Sequence, residues 1–358
     1  GGPLIGGFIT TSFSWRWIFY INIPVGGAAL VYLISTLHLP PKRVNHKVDY
    51  LGGGLLALAA TSLVLLATWG GTEYRWGSGQ ILGLGLLALA AAAGFIMVEM
   101  RVAEPILPLH VFRNRNFSLT MGLTFLTGLA MFGALTFLPL FQQTVQGESP
   151  TVSGLMLTPM MLGVTVTSIV AGQVTTRTGR YKIFPVLGGA IMGLGMYLLT
   201  GLDVGTSRVT SAIYYVVLGL GMGFLMQMVS LIAQNSVQQK DMGVASSARM
   251  FFQQIGGSLG VAAFGAIFAR RLTESLAASG VHVSAGGGQL NPATVDSLPA
   301  VIRHDVFSAI AHAVQGVFIW ALPAALLIFV LALLIKEVPL RGRAPADETA
   351  SQQAELVS

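Results

Sequence analysis

The 358-residue sequence contains no cysteine, which excludes disulfides and thiolate metal sites and leaves the redox compartment unread. It is poor in charge: Asp, Glu, Lys and Arg make up 9% of the chain, against roughly a quarter in ordinary soluble domains. Hydrophobic residues fill 53%, and a soluble fold of that composition would precipitate. The 14 acidic residues, Asp49, Glu99, Asp241 and Asp305 among them, all lie in loops or at the ends of apolar runs. Enzyme signatures are weak too: there is no Walker Gly-Lys-Ser/Thr and no His-Glu-x-x-His, and the Gly-x-Ser-x-Gly match at Gly256-Gly257-Ser258-Leu259-Gly260 lies inside an uncharged run. His304-Asp305 with His312 could hint at a metal, but the three straddle a loop and a helix start and read as interface histidines. Neither an enzyme nor a metal or cofactor site is expected.

What the chain has instead is uncharged length. Such runs cover residues 1–15, 17–37, 50–72, 76–98, 116–147, 151–176, 183–202, 209–239, 250–269 and 306–335. All but the first reach the roughly 20 residues a helix needs to cross about 30 Å of hydrocarbon. The opening run, at about 1.5 Å per residue, reaches only about 22 Å and reads as the remainder of a longer helix. The expectation is an all-α polytopic membrane protein with nine complete spans and one partial span. A cleaved secretory signal is not expected at residue 1, where no basic start, short apolar core and small-residue cleavage site follow.

The formal net charge of +6 resolves once loops alternate across a bilayer. Lys42, Arg43, Lys47, Arg101, Arg113, Arg115, Arg177, Arg180, Lys182, Lys240, Arg249, Lys336, Arg341 and Arg343 fall on one side. Arg16, Arg75, Arg208, Arg270, Arg271 and Arg303 fall on the other. The positive-inside rule makes the richer side cytoplasmic, with the C-terminus inside. The basic excess is a topology signal, so no nucleic-acid partner is expected.

Connections are mostly short and polar, as between antiparallel neighbours. The segment 99–116, with Glu104-Pro105, Pro108 and Arg113-Asn114-Arg115-Asn116, reads as the boundary of a six-helix bundle. The pair before it, 50–98, is almost pure Leu, Ala and Gly and reads as lipid-facing. The loop from Arg270 to Asp305 carries Gly286-Gly287-Gly288 and the breakers Pro292 and Pro299. The tail 336–358 is rich in Ala, Glu, Gln and Ser and is expected to be disordered and cytoplasmic. Glycine recurs at packing intervals, as in Gly189 with Gly193, Gly219-x-Gly221-x-Gly223 and Gly256 with Gly260, where small residues let helix backbones approach.

Gly2-Pro3-x-x-Gly6-Gly7, continued by Trp15-Arg16-Trp17-Ile18-Phe19-Tyr20-Ile21-Asn22-Ile23-Pro24-Val25-Gly26, carries a family likeness. It resembles the end of the antiporter motif in the fifth span of major facilitator superfamily drug exporters, most closely the fourteen-span drug:proton antiporter branch. On the residues alone, Pro3 is equally a helix kink and the Trp pair an interfacial belt. Gly172-x-x-x-Thr176-Arg177-x-Gly179-Arg180-Tyr181-Lys182 resembles the superfamily's cytoplasmic loop motif in its second-half copy. Thr176 stands where the stronger copy has Asp. An Arg177 or Arg180 contact to a neighbouring helix end would latch one conformation there. Leu138-Pro139-Leu140-Phe141-Gln142-Gln143, Gln234-Asn235 and Gln253-Gln254-Ile255-Gly256-Gly257-Ser258-Leu259-Gly260 extend the likeness over nearly the whole chain.

The resemblance implies a partial major facilitator fold running from the end of span five to span fourteen. Residues 1–37 would close the N-terminal bundle, 50–98 would be two linker helices, and 117–335 the C-terminal six-helix bundle. It implies efflux of small amphipathic or cationic drug-like compounds from a bacterial inner membrane by proton antiport. The energy source would be the proton gradient, with no cofactor, and an envelope adaptor protein stays open. An endogenous-metabolite facilitator, or a non-transporting membrane protein reusing the bundle, is the alternative. Intramembrane polar side chains mark the path: Gln142, Gln143, Gln227, Gln234, Asn235, Gln253, Gln254 and Gln315, with Met226, Met228 and Met250 as an adaptable apolar wall. Helix-to-helix hydrogen bonds are the competing explanation for each. Arg249 is expected to snorkel toward the membrane surface. A proton-coupled exchanger needs a membrane-embedded carboxylate. None lies mid-span here, and the resemblance implies that the coupling acid belongs to the N-terminal spans, expected before Gly1.

Overall fold

The computed structural model describes residues 2–36, 49–71, 73–102, 105–278 and 300–340. The glycine run 286–288, Pro292, Pro299, Lys42, Arg43, Lys47, Glu104 and the tail beyond Leu340 lie outside the described residues. The described chain is helical and contains no strand. Its helices are α1 (Gly2–Ser12), α2 (Trp17–Tyr20), α3 (Asn22–Thr36), α4 (Tyr50–Trp69), α5 (Gly79–Glu99) and α6 (Arg115–Thr144). Then come α7 (Pro150–Met156), α8 (Thr158–Thr178), α9 (Ile183–Leu199), α10 (Arg208–Asn235), α11 (Met242–Ala278) and α12 (Ala300–Leu334). Eight of the described segments are long and apolar enough to cross a membrane, and α9 is a shorter apolar helix. The ten uncharged runs therefore all become helical. The expected loop after Arg270 is shorter than its sequence reading, because α11 continues to Ala278 and α12 starts at Ala300. His304, Asp305 and His312 thus all stand on α12, not across a loop and a helix start.

Local signals set the boundaries. Asn114 caps α6 by accepting from the N–H groups of Asn116 and Phe117 at 2.9 and 3.2 Å. Asp49 caps α4 through the Gly52 N–H at 2.8 Å, and Ser78, Ser149 and Ser207 cap α5, α7 and α10. These side chains satisfy first-turn N–H groups that have no partner within the helix. Helix α8 ends at Gly179, whose φ of 76° places it in the left-handed region, the usual glycine stop.

The core lies in α6–α12. Leu123, Phe141, Met160, Met192, Tyr215, Leu218 and Val314 are fully buried there. Helix α6 packs on α10, α11 and α12, α10 on α8 and α9, and α12 closes the ring on α9 and α11. The α4–α5 hairpin leans on α11 through α4, and α1 leans on α7. Helix α3 buries no residue. Ile23, Val31, Leu82, Leu89, Ile319 and Leu326 present large apolar surfaces outward, as lipid contact requires.

Glycine decides how α10 is seated. A methyl group on Gly219 would strike the Met160 carbonyl of α8, and one on Gly223 would strike Thr167 and Val164 of the same helix. A methyl on Gly221 would strike Met192 of α9. The alternate residues of Gly219-x-Gly221-x-Gly223 therefore serve two neighbours at once. Overpacking such a contact costs typically about 1–3 kcal/mol. Gly219→Leu is expected to lower the melting temperature of the detergent-solubilised protein clearly. Gly265→Leu, at a position with open space around it, leaves that temperature near wild type.

Candidate functional site

Helix α1 carries the Gly-Pro motif and marks one flank of the bundle. Gly7 lies so close to α7 that a Cβ there would sit 2.5 Å from the Pro150 carbonyl oxygen. The Thr151 hydroxyl donates to the Gly7 carbonyl at 3.1 Å and bonds the Thr11 hydroxyl at 2.8 Å. Gly7 thus forms a tight helix contact. Gly6 is half-buried with room around it, and Gly2 is exposed; the side-chain placement of Pro3 lies outside what is described.

Two surface hollows lie in succession along α8 and α10, forming an α8–α10 groove. The one near α7 is apolar, about 540 Å³, lined by Leu155, Pro159, Leu162, Val166, Val216 and Leu220. Toward the base-rich ends of the helices a second hollow of about 480 Å³ is lined by Ser168, Gly172, Gln173, Thr176, Arg177 and Gln227. Gly172 faces the Gln227 amide, whose nitrogen would be 3.5 Å from a Cβ, an ordinary contact distance. The groove joins two groups that the sequence offered separately: Gly172 and Arg177 of the loop motif, and Gln227 of the path candidates. Ser168 and Gln173 were not singled out. The signal that could have found them is their spacing, one helical turn or less from Gly172 on α8.

The other candidates lie elsewhere. Gln142 is completely buried in the bundle, Gln143 is half-buried and Gln254 exposed. Gln234 donates to the Ser246 hydroxyl at 3.4 Å, and the Asn235 amide reaches the Pro339 carbonyl at 3.3 Å. Gln253 accepts from Arg249 at 3.1 Å, so Arg249 is held by a neighbour one turn away. Gln315 donates to the Leu202 carbonyl, and Met228 is fully buried while Met250 is 60% exposed.

The loop motif is anchored through Tyr181. Its hydroxyl accepts from the Val338 N–H at 2.8 Å, and its N–H donates to Glu337 Oε1 at 2.9 Å. Asn116 pairs with both backbone groups of Lys336, at 2.7 and 3.0 Å. The stretch after α12 is therefore clamped to the starts of α6 and α9. Arg180 is exposed and lends its carbonyl to Thr175 at 3.4 Å.

Comparison with known proteins follows from this geometry. The sequence profile of the Major Facilitator Superfamily matches residues 1–261. The chain belongs to that family. It is 42% identical over 346 residues to an uncharacterized MFS-type transporter of Mycobacterium tuberculosis, covering 95% of this chain and 50% of that protein. It is 39% identical over 270 residues to the multidrug transporter protein MdtP of Bacillus subtilis, covering 75% of this chain and 50% of that one. Multidrug resistance protein 3 of Bacillus subtilis is 31% identical over 333 residues, 90% of this chain and 65% of the relative. The chain thus spans about half to two thirds of the length of these relatives. A solved bacterial homologue of the human lysosomal transporter Spinster, in an inward-facing and occupied conformation, superposes with a TM-score of 0.52 at 16% identity. That superposition covers 79% of this chain and 65% of the homologue, and it shows a shared fold. As a member of this family the chain is a multi-pass membrane protein of the transporter class.

Burial, against the Val338 hydrogen bond, pushes the Tyr181 phenol above its ordinary 10.0, and the charge of Glu337 acts in the same direction. A raised folded value means that the unfolded chain ionises first. The stability tied to Tyr181 is whole below pH 10 and is lost as pH climbs through the folded value. Tyr181→Phe strands the Val338 N–H, a loss of about 1–3 kcal/mol, and should lower the melting temperature at pH 7. The same variant should show a smaller further decline above pH 10 than wild type.

Proposed function

We propose that the protein works in multidrug export, moving small amphipathic, often cationic, compounds outward across a bacterial inner membrane in exchange for protons. The α8–α10 groove carries this reading. It passes from an apolar wall of Leu155, Leu162, Val166 and Leu220 to an end where Ser168, Gln173, Thr176, Arg177 and Gln227 join Ile169. Such a surface shelters an apolar ring system while offering hydrogen bonds at its other end. The names of the Bacillus subtilis relatives support a drug-like substrate.

The base-rich ends of the helices are assigned to the cytoplasm, so the C-terminal end of α12 lies inside. On that assignment the α1–α7 contact is at the outer end of the groove, and the polar end opens inward. Rocking of one bundle against the other about this groove would expose it alternately to the two sides. No described acidic residue lies mid-span. The chain covers only part of its relatives' length, and we assign the proton-carrying carboxylate to spans outside this sequence. Any envelope adaptor would bind outside the groove.

Cells expressing the transporter are expected to accumulate less of a lipophilic cationic dye than control cells, and a protonophore should abolish the difference. Gln227→Leu together with Gln173→Leu is expected to restore most of the accumulation at unchanged expression. Equal dye levels in expressing and control cells would count against export.

A further inference from the structure

Between the end of α6 and the start of α10, five buried polar atoms have no hydrogen-bond partner: both amide atoms of Gln142, Oε1 of Gln146, Oγ of Ser211 and Oη of Tyr215. Gln142, Ser211 and Tyr215 are completely buried. Gln142 and Ser211 lie within hydrogen-bonding reach of the Tyr215 phenol, but no contact among the three has full hydrogen-bond geometry. Gln146 lies just past the end of α6, two residues after Thr144, and Ser211 precedes Tyr215 by one turn of α10, so that pair shares a helix face.

An unpaired buried polar atom costs about 1–3 kcal/mol, and in hydrocarbon the side chain cannot turn outward for relief. Five such atoms in one place would form a large defect in an otherwise apolar core. The groups comprise donors and acceptors in near balance: the Gln142 NH2 and the two hydroxyls donate, while the two amide oxygens and the same hydroxyls accept. None of these groups is charged. We propose that Gln142, Gln146, Ser211 and Tyr215 form a buried hydration site, in which ordered water joins α6 to α10. A bound water typically makes about three hydrogen bonds to groups of this kind.

Paired and apolar groups flank the site on either side. Toward the membrane surface, Glu148 and Arg208 form an ion pair across the same two helices. The Glu148 N–H donates to the Gln142 carbonyl at 3.0 Å, and the Gln146 amide donates to the Thr206 carbonyl at 3.1 Å. These contacts tie the loop ends together above the site. Below it, Leu138, Phe141 and Leu218 are fully buried and apolar. Pro139, one turn before Gln142–Gln143, has no N–H to give to α6. Water is a partner that can change hydrogen bonds without repacking side chains. The proposal therefore gives the α6–α10 contact an adjustable polar joint at its outer end, separate from the α8–α10 groove.

Radiolytic hydroxyl labelling of the membrane-embedded protein tests this, since bound water becomes the local source of the radical. Tyr215 is expected to be oxidised several-fold faster than Phe117, an equally buried ring in an apolar cluster. In Gln142→Leu the Tyr215 rate should fall toward that of Phe117. Gln142→Leu should also lower the melting temperature, because it leaves the remaining polar groups with fewer partners. Labelling of Tyr215 no faster than Phe117 in the wild type overturns the proposal. So does a melting temperature raised by Gln142→Leu, which is what removing an unpaired amide from a dry core would give. If Gln142→Leu does not fold, the wild-type rate ratio decides alone.

Discussion

Close approach of helix backbones is the constraint on which the bundle depends. In lipid no hydrophobic force separates one apolar helix face from another, so association rests on van der Waals fit and on a few hydrogen bonds. Gly219 and Gly223 bring α10 onto α8, Gly221 brings it onto α9, and Gly256 brings α11 onto Phe125 of α6. The groove exists because of this fit. Two helices seated so tightly at their small residues leave a furrow where their larger side chains diverge, and Gln173, Gln227, Leu162 and Leu220 line it.

Polar side chains divide into three uses within the same fold. Some stitch the base-rich end: Asn116, Tyr181 and Asn235 hold the stretch after α12. Some line the groove, as Gln173 and Gln227 do. Some are enclosed, as Gln142 and Tyr215 are. Their chemistry is alike, and their surroundings decide which use each serves. The end of α12 is fastened to the starts of both α6 and α9.

Much of the architecture was legible because its signals are one-dimensional. The length of an uncharged run reports a span, and α3 through α6 fall where the runs predict. Glycine spacing pointed to close helix packing, and the uncharged run from 116 placed the start of α6 to within one residue of Arg115. Helix extension past the charged residues Arg270, Arg271 and Arg303 was not legible from lack of charge, because long basic side chains can reach water from a helix that continues. The site was less readable. Gln142, Gln227 and Asn235 are all polar residues inside or at the end of apolar runs, and nothing local distinguishes an enclosed amide from a groove-lining one or a clamp. That difference arises from rotation about the helix axis relative to neighbours far away in sequence. The role of Tyr181 depended on residues 336–338, more than 150 positions onward.

The central claim is that the α8–α10 face is a water-reached path wall and not a lipid-facing surface. The chain has no native cysteine, so single cysteines can be read without background. Cysteines placed at Gln173 and Gln227, and at the outward-facing Leu326, should be challenged in intact membranes with a membrane-impermeant thiol reagent admitted to the base-rich side. The account predicts rapid modification at 173 and 227 and protection at 326. Protection at 173 and 227 equal to that at 326 would contradict it.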